Sequence, residues 1–161
     1  MNLAITGSSG NIGGMVARHL STRGLPLILP LRNPAKAPNL MNCEARRFAY
    51  GDLELAKQAL NGVDVLFMVS AAESPMCEQE HLTLVQAASE EGVQHIVYLS
   101  FAQAALDSTF TLARTHAVTE NAIRQTNMRY TFLRDNFYSE MMATIANADG
   151  IIAGPADDGC V

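Results

Sequence analysis

Three glycines spaced three residues apart, Gly7, Gly10 and Gly13, are the feature that most restricts how this chain can fold. Residues 2–6 before them have an apolar centre and predict a short buried strand, and apolar side chains at helical spacing follow them. In such a turn the first glycine allows a tight reversal, the second lets a ligand approach the backbone, and the third lets the helix lie close to the strand. The pattern therefore predicts a strand, a glycine turn and a helix, the alternative being a connecting loop that is rich in glycine by chance.

The start of this helix is suited to binding an anion. Helix N-termini present unpaired N–H groups and the positive end of the helix dipole, and both attract phosphate. Together with the glycine spacing, this predicts a site for the pyrophosphate of a dinucleotide. The expected contacts are Gly7, Ser9, Gly10, Asn11, Ile12 and Gly13. The buried side of the helix is expected to carry Ile12, Met15, Val16, His19 and Leu20.

The charges near the glycine turn favour a ligand with several phosphates. Residues 1–43 contain four basic side chains and no acidic one, and the first acid is Glu44. A second strand is predicted at residues 25–31, with Pro26 and Pro30 at its ends, and Arg32 follows it. A carboxylate at this position of a dinucleotide fold would bind the ribose 2′-hydroxyl of NAD, whereas a guanidinium suits a 2′-phosphate. Arg32 therefore favours NADP(H) over NAD(H), the alternative being an ordinary exposed loop arginine.

Strands and helices alternate along the rest of the chain. Further strands are predicted at residues 44–49, 63–69, 94–100 and 129–134, and helices between them. Alternation of this kind places the strands parallel, so the fold class is α/β: a Rossmann-type doubly wound sheet of about six strands in the order 3-2-1-4-5-6, with helices on both faces. Asp52 either caps the next helix, which is the favoured role, or lies beside the adenine. Ser70 ends the fourth strand on the ligand-binding side and is a further candidate cofactor contact. His81 is expected on a helix surface or in helix packing.

Composition excludes several classes of protein. The length of 161 residues suits one domain, with residues 1–161 as a single nucleotide-binding unit. No apolar run is long enough to span a membrane and no signal peptide opens the chain, so a cytoplasmic location is expected. Three cysteines (Cys43, Cys77 and Cys160) fit no metal spacing and are expected to be free thiols. The net charge of −5 argues against direct nucleic-acid binding.

Several segments resemble the NmrA-like branch of atypical short-chain dehydrogenase/reductases, and most closely its NADPH-dependent quinone oxidoreductase type 2 group. The matching residues include the Arg32-Asn33-Pro34 step, and the resemblance covers essentially the whole chain. It implies an NADPH-binding Rossmann domain with a small substrate lobe at its C-terminal end. The other matching segments are residues 5–13, 50–52, 98–100 and 130–140, with His116 and Glu120.

The sequence departs from related reductases in two ways. Family members continue well beyond Val161, so we expect a C-terminally truncated chain in which residues 149–161 begin a missing substrate lobe. The Tyr-x-x-x-Lys pair of ordinary short-chain reductases is also absent, because no tyrosine is followed four residues later by a lysine. One helix instead presents His116 and Glu120 on the same face. These two are the candidate catalytic residues, and the alternative is a helical pair without chemistry.

Reduction of a quinone demands little acid catalysis, because hydride adds to an electron-poor ring and gives a stabilised hydroquinone anion. The protein then mainly positions two rings and excludes water. Candidate residues for this lie at the predicted strand ends: Ser100 beside the cofactor, and Phe101, Asn136, Phe137 and Tyr138 at the substrate. Each aromatic among them is equally expected in simple packing.

The sequence therefore predicts an NADPH-dependent oxidoreductase that transfers hydride to a quinone or similar small carbonyl acceptor. The alternative is a non-catalytic NmrA-like dinucleotide sensor that acts through protein partners. A sugar-nucleotide or flavonoid-type reductase is a third possibility, which the lysine-free helix disfavours. An incomplete sheet would also expose apolar surface, so self-association into a homo-oligomer is expected.

Overall fold

Strands and helices alternate in the computed structural model of the chain, which describes residues 1–139 and 151. No helix in this described part is both long and apolar enough to cross a bilayer. A short 3₁₀ helix, Pro34–Lys36, joins the second strand to the third. The strands are β1 (Leu3–Ile5), β2 (Leu27–Leu31), β3 (Cys43–Arg47), β4 (Val65–Met68), β5 (His95–Phe101) and β6 (Arg129–Asp135). The helices are α1 (Asn11–Thr22), α2 (Leu53–Leu60), α3 (Cys77–Glu90) and α4 (Thr111–Arg124).

The strands form one sheet in the order β3-β2-β1-β4-β5-β6, and every neighbouring pair is parallel. This confirms the predicted α/β class, strand number and order. The chain builds outward from β1 in one direction and from β4 in the other. The strand order therefore reverses between β1 and β4, and the carboxyl ends of these two strands border a crevice.

The centre of the sheet is apolar on both faces, as expected for parallel strands covered by helices. Helix α1 packs on one face, where Ile5, Leu29 and Phe67 lie in its core. Helices α2, α3 and α4 cover the other face, whose core includes Leu66 and Ile96. The predicted helices on both faces are therefore confirmed, with three of the four on one side.

The buried side of α1 differs from the prediction. Met15 is 45% exposed and His19 also faces solvent, whereas Gly13 and Ala17 are buried. The helix axis lies so close to the sheet that small residues fill the contact line. The predicted Ile12, Val16 and Leu20 do pack against the core beneath α1.

Pro30 lies inside β2, although the sequence placed it at a strand end. Leu27 donates its N–H towards the β3 side, to Asn42, and Leu31 accepts from Phe48 on that side. Alternation along the strand therefore turns Pro30 towards β1. Since β1 pairs with β2 only as far as Ile28, the missing N–H of the proline removes no ladder bond.

Two sequence predictions reach beyond the described residues. The expected start of a further lobe at residues 149–161 lies outside them apart from Ile151, and Cys160 lies outside them altogether. Cys43 and Cys77 are free thiols, as predicted.

Candidate functional site

The glycine turn follows β1 directly, at the crevice where the strand order reverses. Gly7 has a φ of +64°, a left-handed conformation that glycine adopts without steric cost. The N–H of Gly10 closes the turn by donating to the carbonyl of Gly7 at 2.8 Å. The turn is anchored to β4 because Thr6 donates its N–H to the carbonyl of Phe67 at 3.0 Å. The backbone of the turn is thus held at the ligand-binding edge of the sheet.

The N-terminus of α1 is open to a ligand. Gly10 is the N-cap and offers no side chain to the first-turn N–H groups, and no acidic residue lies in that turn. Gly13 lets this turn approach β1, because a Cβ on it would lie 2.6 Å from the carbonyl oxygen of Thr6. The helix therefore presents its positive end and its free donors at the crevice.

Ser8, within the glycine turn, supports the same interpretation. Its hydroxyl is buried and has no hydrogen-bond partner within the described part of the chain. An unpaired buried hydroxyl costs about 1–3 kcal/mol, so a ligand rich in acceptor atoms would compensate for it. The turn and the start of α1 together fit a phosphate-bearing group.

A cleft of about 390 Å³ runs from the glycine turn past the end of β2 to the loop after β4. Gly7, Ser9, Arg32 and Ser70 are among the residues that line it. A neighbouring hollow is lined by Ser9, Arg32 and Lys36, so two exposed cations converge beside the turn. Arg32, the predicted contact of a 2′-phosphate, therefore lies beside the glycine turn.

Asp52 takes the capping role that was favoured from the sequence. Its carboxylate accepts a hydrogen bond from the Leu55 N–H at 3.0 Å, at the start of α2. The wall of the cleft at this point is formed instead by Tyr50 and Gly51. The Tyr50 hydroxyl donates to the carbonyl of Val69 at 2.6 Å. This hydrogen bond connects the segments that follow β3 and β4, and the sequence did not indicate it.

A second cavity, of about 280 Å³, lies at the ends of β5 and β6. Phe101, Asn136, Phe137 and Tyr138, all predicted at the substrate, line it. Phe110 lines it as well and was not predicted. The three phenylalanine rings contact one another with centroids 5.6–5.7 Å apart. This volume lies just below the range of about 300–1,000 Å³ that is typical of ligand pockets, so it suits a small ring system.

The two cavities meet at Ser70 and Ala71, which line both of them. A ligand that extends from the start of α1 along the cleft reaches the aromatic cavity at this point. The backbone after β4 is thus a shared wall, which we define as residues 69–71.

His116 faces the aromatic cavity from α4. Its Nδ1 atom lies 2.7 Å from the Tyr98 hydroxyl, and its ring stacks on Phe101 at a centroid distance of 6.1 Å. Burial lowers the pKa of His116 to about 4, although the nearby Glu120 carboxylate opposes the change. Burial also raises the pKa of Tyr98 far above its ordinary value. Both side chains are therefore neutral near pH 7.

Glu120 and Ser100 lie behind the cavity rather than on its wall. The Glu120 carboxylate is 1% exposed and accepts hydrogen bonds from Ser100 (2.7 Å), Arg124 (2.8 Å) and Arg134 (2.7 Å). Burial alone would raise the pKa of Glu120, but these partners hold it below its ordinary value. Neither residue lines the cleft or the aromatic cavity, so this geometry does not bring the predicted catalytic Glu120 or the predicted cofactor contact Ser100 to a ligand.

Comparison with known sequences identifies the family. Residues 7–150 match a protein-family model described as NAD(P)H-binding. The chain belongs to this NAD(P)H-binding family. The predicted nicotinamide dinucleotide cofactor agrees with the family's description.

The chain is similar to two curated relatives and to one solved structure. Quinone oxidoreductase 2 of Escherichia coli K12 is 34% identical, covering 98% of this chain and 57% of the relative. An NAD(P)H azoreductase from Xenophilus azovorans is 31% identical, covering 91% of this chain and 51% of the relative. The crystal structure of Citrobacter triphenylmethane reductase complexed with NADP(H) is 35% identical, with a TM-score of 0.81, covering 89% of this chain and 52% of its own.

These matches confirm the resemblance to quinone oxidoreductases that the sequence motifs indicated. The chain spans just over half the length of each of these relatives. The three proteins are named for different acceptors, so their names do not identify the acceptor of this chain.

His81 was expected on a helix surface or in helix packing, and the second alternative is observed, because it is fully buried and contacts Thr119 of α4. Its bond to the backbone of Ala71 was not expected. Tyr98 is also buried, and Tyr50 is partly buried at the wall of the cleft. No local pattern marks these three residues, because their partners lie on strands and helices distant in the chain.

Proposed function

We propose that this family member is an NADPH-dependent reductase that transfers hydride to a small, flat, conjugated acceptor, with a quinone as the first candidate. The observation that most supports this is the junction of the two cavities at Ser70 and Ala71, one bordered by the glycine turn and Arg32 and the other by aromatic rings. The relatives described above are named as quinone, azo and triphenylmethane reductases. Their names give the alternative of a non-catalytic sensor no support.

The cofactor end of the site is built for phosphate. Gly7 and Gly10 would keep side chains away from a pyrophosphate, and the first-turn amides of α1, from Asn11 to Gly13, would donate to it. Ser8 adds a buried hydroxyl that has no other partner in the described residues. Arg32 and Lys36 converge on the hollow beside Ser9, where a 2′-phosphate would lie. Two cations, with no carboxylate among the described residues that line this hollow, favour NADPH over NADH.

Arg32→Ala is expected to weaken NADPH binding about 10- to 100-fold while leaving NADH binding nearly unchanged. The reason is that a guanidinium–phosphate contact contributes about 1.5–3 kcal/mol, and only NADPH carries the 2′-phosphate. Titration of the purified chain with each nucleotide measures both dissociation constants. Arg23→Ala removes the same charge from the exposed end of α1 and is the matched control. Equal affinity of the unchanged protein for both nucleotides would contradict the assignment.

The acceptor end of the site is largely aromatic, and Glu73, Asp135 and Asn136 also line it. Phe101, Phe110 and Phe137 pack against one another in tilted and edge-on contacts, and a flat acceptor would lie against this cluster. Tyr138 completes the wall, and burial raises the pKa of its hydroxyl to about 12, so that it stays protonated. A bound nicotinamide supplies the hydride, and these side chains hold the acceptor ring against it and exclude water.

His116 is the residue best placed to meet the negative charge that develops on the acceptor oxygen. We assign the proton of its neutral ring to Nε2, with Nδ1 accepting from the Tyr98 hydroxyl, which lies 2.7 Å away. No partner for Nε2 occurs among the described residues, so its N–H is available to the cavity. A neutral donor of this kind stabilises an oxyanion without transferring a proton in advance.

The proposed activity predicts that NADPH is oxidised when a quinone such as menadione is added, and that His116→Phe lowers kcat about 100-fold. That factor is at the low end for loss of one positioned donor, because a hydroquinone anion is already delocalised. NADPH absorbance measures the rate. Phenylalanine retains a ring to stack on Phe101, so the dissociation constant for NADPH should change little.

His19→Phe is the control for this substitution, since His19 is exposed on α1 far from the cavity. Tyr98→Phe should lower kcat less than His116→Phe does. It leaves the His116 ring in place and removes only the hydroxyl that fixes the tautomer of that ring. An unchanged kcat in His116→Phe would reduce His116 to a packing residue. Binding of NADPH without reduction of any flat acceptor would contradict the proposed activity itself.

A further inference from the structure

The shared wall of the two cavities is held by hydrogen bonds to side chains from three different parts of the chain. The N–H of Val69 donates to Thr6 Oγ1 at 2.9 Å, and the carbonyl of Val69 accepts from the Tyr50 hydroxyl at 2.6 Å. The N–H of Ala71 donates to Nε2 of His81 at 2.9 Å. Strand β1, the chain after β3 and helix α3 therefore each fix one polar atom of residues 69–71.

The bond between Ala71 and His81 settles the protonation of the histidine. A backbone N–H can only donate, so Nε2 must be the bare nitrogen that accepts. The proton of the neutral ring then lies on Nδ1, which is 3.0 Å from Thr119 Oγ1. The Thr119 hydroxyl in turn donates to the carbonyl of Thr115 at 2.8 Å. Every proton in this chain of bonds has one position, and the chain connects α4 through α3 to the wall.

The surroundings of His81 keep its ring neutral, so Nε2 remains a hydrogen-bond acceptor. The ring is fully buried, and its neighbours are the rings of Tyr50, Tyr98 and His116, with the Cys77 thiol 3.5 Å from Nε2. Burial, with a smaller contribution from the nearby His116, lowers the pKa of His81 to about 4. Burial also raises the pKa of Cys77, so this neighbour is a thiol and not a thiolate.

We propose that His81 is a positioning residue that fixes the Ala71 amide. Through this amide it holds the shared wall in place between the cofactor cleft and the acceptor cavity. This inference rests on the proposed function, because it assigns the wall to the part of NADPH that passes from one cavity to the other. His81 does not line either cavity, so its effect on the ligand is transmitted through the Ala71 backbone. A buried histidine serving only to fill the core would need no acceptor at Nε2.

A matched pair of substitutions separates these two roles. Glutamine places its amide group where Nε2 lies and can accept from Ala71, whereas asparagine reaches only the position of Nδ1 and can donate only to Thr119. Both remove the ring. We expect His81→Gln to keep the NADPH dissociation constant within about threefold of the unchanged protein, and His81→Asn to raise it about tenfold.

Hydrogen exchange of the Ala71 amide, followed by NMR in the absence of nucleotide, is the second measurement. The amide should be protected in the unchanged protein and in His81→Gln and should exchange rapidly in His81→Asn. Thr119→Val and Thr119→Ser are a second pair, for use if either His81 variant fails to fold. Valine leaves the Nδ1 proton without an acceptor and should loosen Ala71, whereas serine retains the hydroxyl and should not.

The outcomes distinguish this inference from the proposed function. If the unchanged protein binds NADPH but the glutamine and asparagine variants match each other in affinity and in Ala71 exchange, His81 only packs and the inference is wrong. If the unchanged protein binds no NADPH, both the proposed function and the inference are overturned. The same protection of Ala71 in Thr119→Val and Thr119→Ser would also contradict the inference.

Discussion

Gly13→Ala is expected to lower the free energy of unfolding by about 3 kcal/mol and to abolish measurable NADPH binding. A Cβ at this position would overlap the Gly7 carbonyl and lie 2.6 Å from the Thr6 carbonyl oxygen. Both obstacles are backbone, so no side chain can rotate away to make room. The cost lies at the upper end of the roughly 1–3 kcal/mol typical of overpacking, because helix α1 must move away from β1 to relieve the overlap.

The two expected effects of Gly13→Ala have the same cause. Moving α1 displaces its N-terminal amides from the glycine turn, and these amides are the proposed pyrophosphate donors. Denaturant unfolding measures the first effect and nucleotide titration the second. Gly14→Ala is the matched control in the next position of the same helix, where the nearest obstacle is the Ser8 carbonyl oxygen at 3.0 Å. A variant of Gly13 that binds NADPH normally would show that close contact of α1 with β1 is not required.

Much of the fold was predictable from local patterns. The apolar runs that became β2, β4 and β5 lie in the middle of a sheet covered on both faces, so burial imposes one pattern on each whole strand. The glycine turn was equally predictable, because only glycine fits the backbone conformation at Gly7 and the close backbone contact at Gly13. Once the strands were known to be parallel, their carboxyl ends had to meet at one edge. This is why Ser70, Phe101 and Asn136 were correctly expected near one another.

The residues whose surroundings the sequence did not define depend on contacts between distant segments. Pro30 is tolerated inside β2 only because β1 ends early beside it, and the sequence of β2 does not contain that information. His81 occupies an ordinary helical position, but its partners are Ala71 after β4 and Thr119 on α4. Met15 follows the apolar spacing of α1 yet faces solvent, because the contact line of that helix is made of small residues.

The spacing of His116 and Glu120 illustrates the same limit at the level of chemistry. Four residues along a helix place two side chains on one side of it, but α4 packs there against both β5 and β6. His116 meets Tyr98 and the aromatic cavity, whereas Glu120 meets Ser100 and Arg134 behind it. The helical spacing therefore correctly predicted that His116 and Glu120 lie on one side of α4. Their different roles depend on the residues that pack against each of them.

Glu120→Gln is expected to lower the free energy of unfolding by about 2 kcal/mol at pH 7 while changing the rate of quinone reduction less than about threefold. The carboxylate joins α4 to β5 through Ser100 and to β6 through Arg134, and a neutral amide cannot accept all of these bonds. Loss of one partner of a fully buried ion pair costs about 3–5 kcal/mol. The loss here is smaller, because Arg124 and Arg134 are 40% and 43% exposed and water can solvate them.

The pH dependence of the difference identifies the carboxylate as its source. The pKa of Glu120 in the folded protein lies below its ordinary value of 4.5, so its stabilisation is fully present above about pH 4.5 and is lost as the pH falls through the folded-state pKa. The gap in unfolding free energy between the unchanged protein and Glu120→Gln should therefore narrow in acid. Arg124→Gln is the control, because it removes one exposed partner and should cost less than about 1 kcal/mol. If Glu120→Gln instead kept its stability and lost 100-fold or more in kcat, the carboxylate would act in the chemistry, and the structural role argued for it would be wrong.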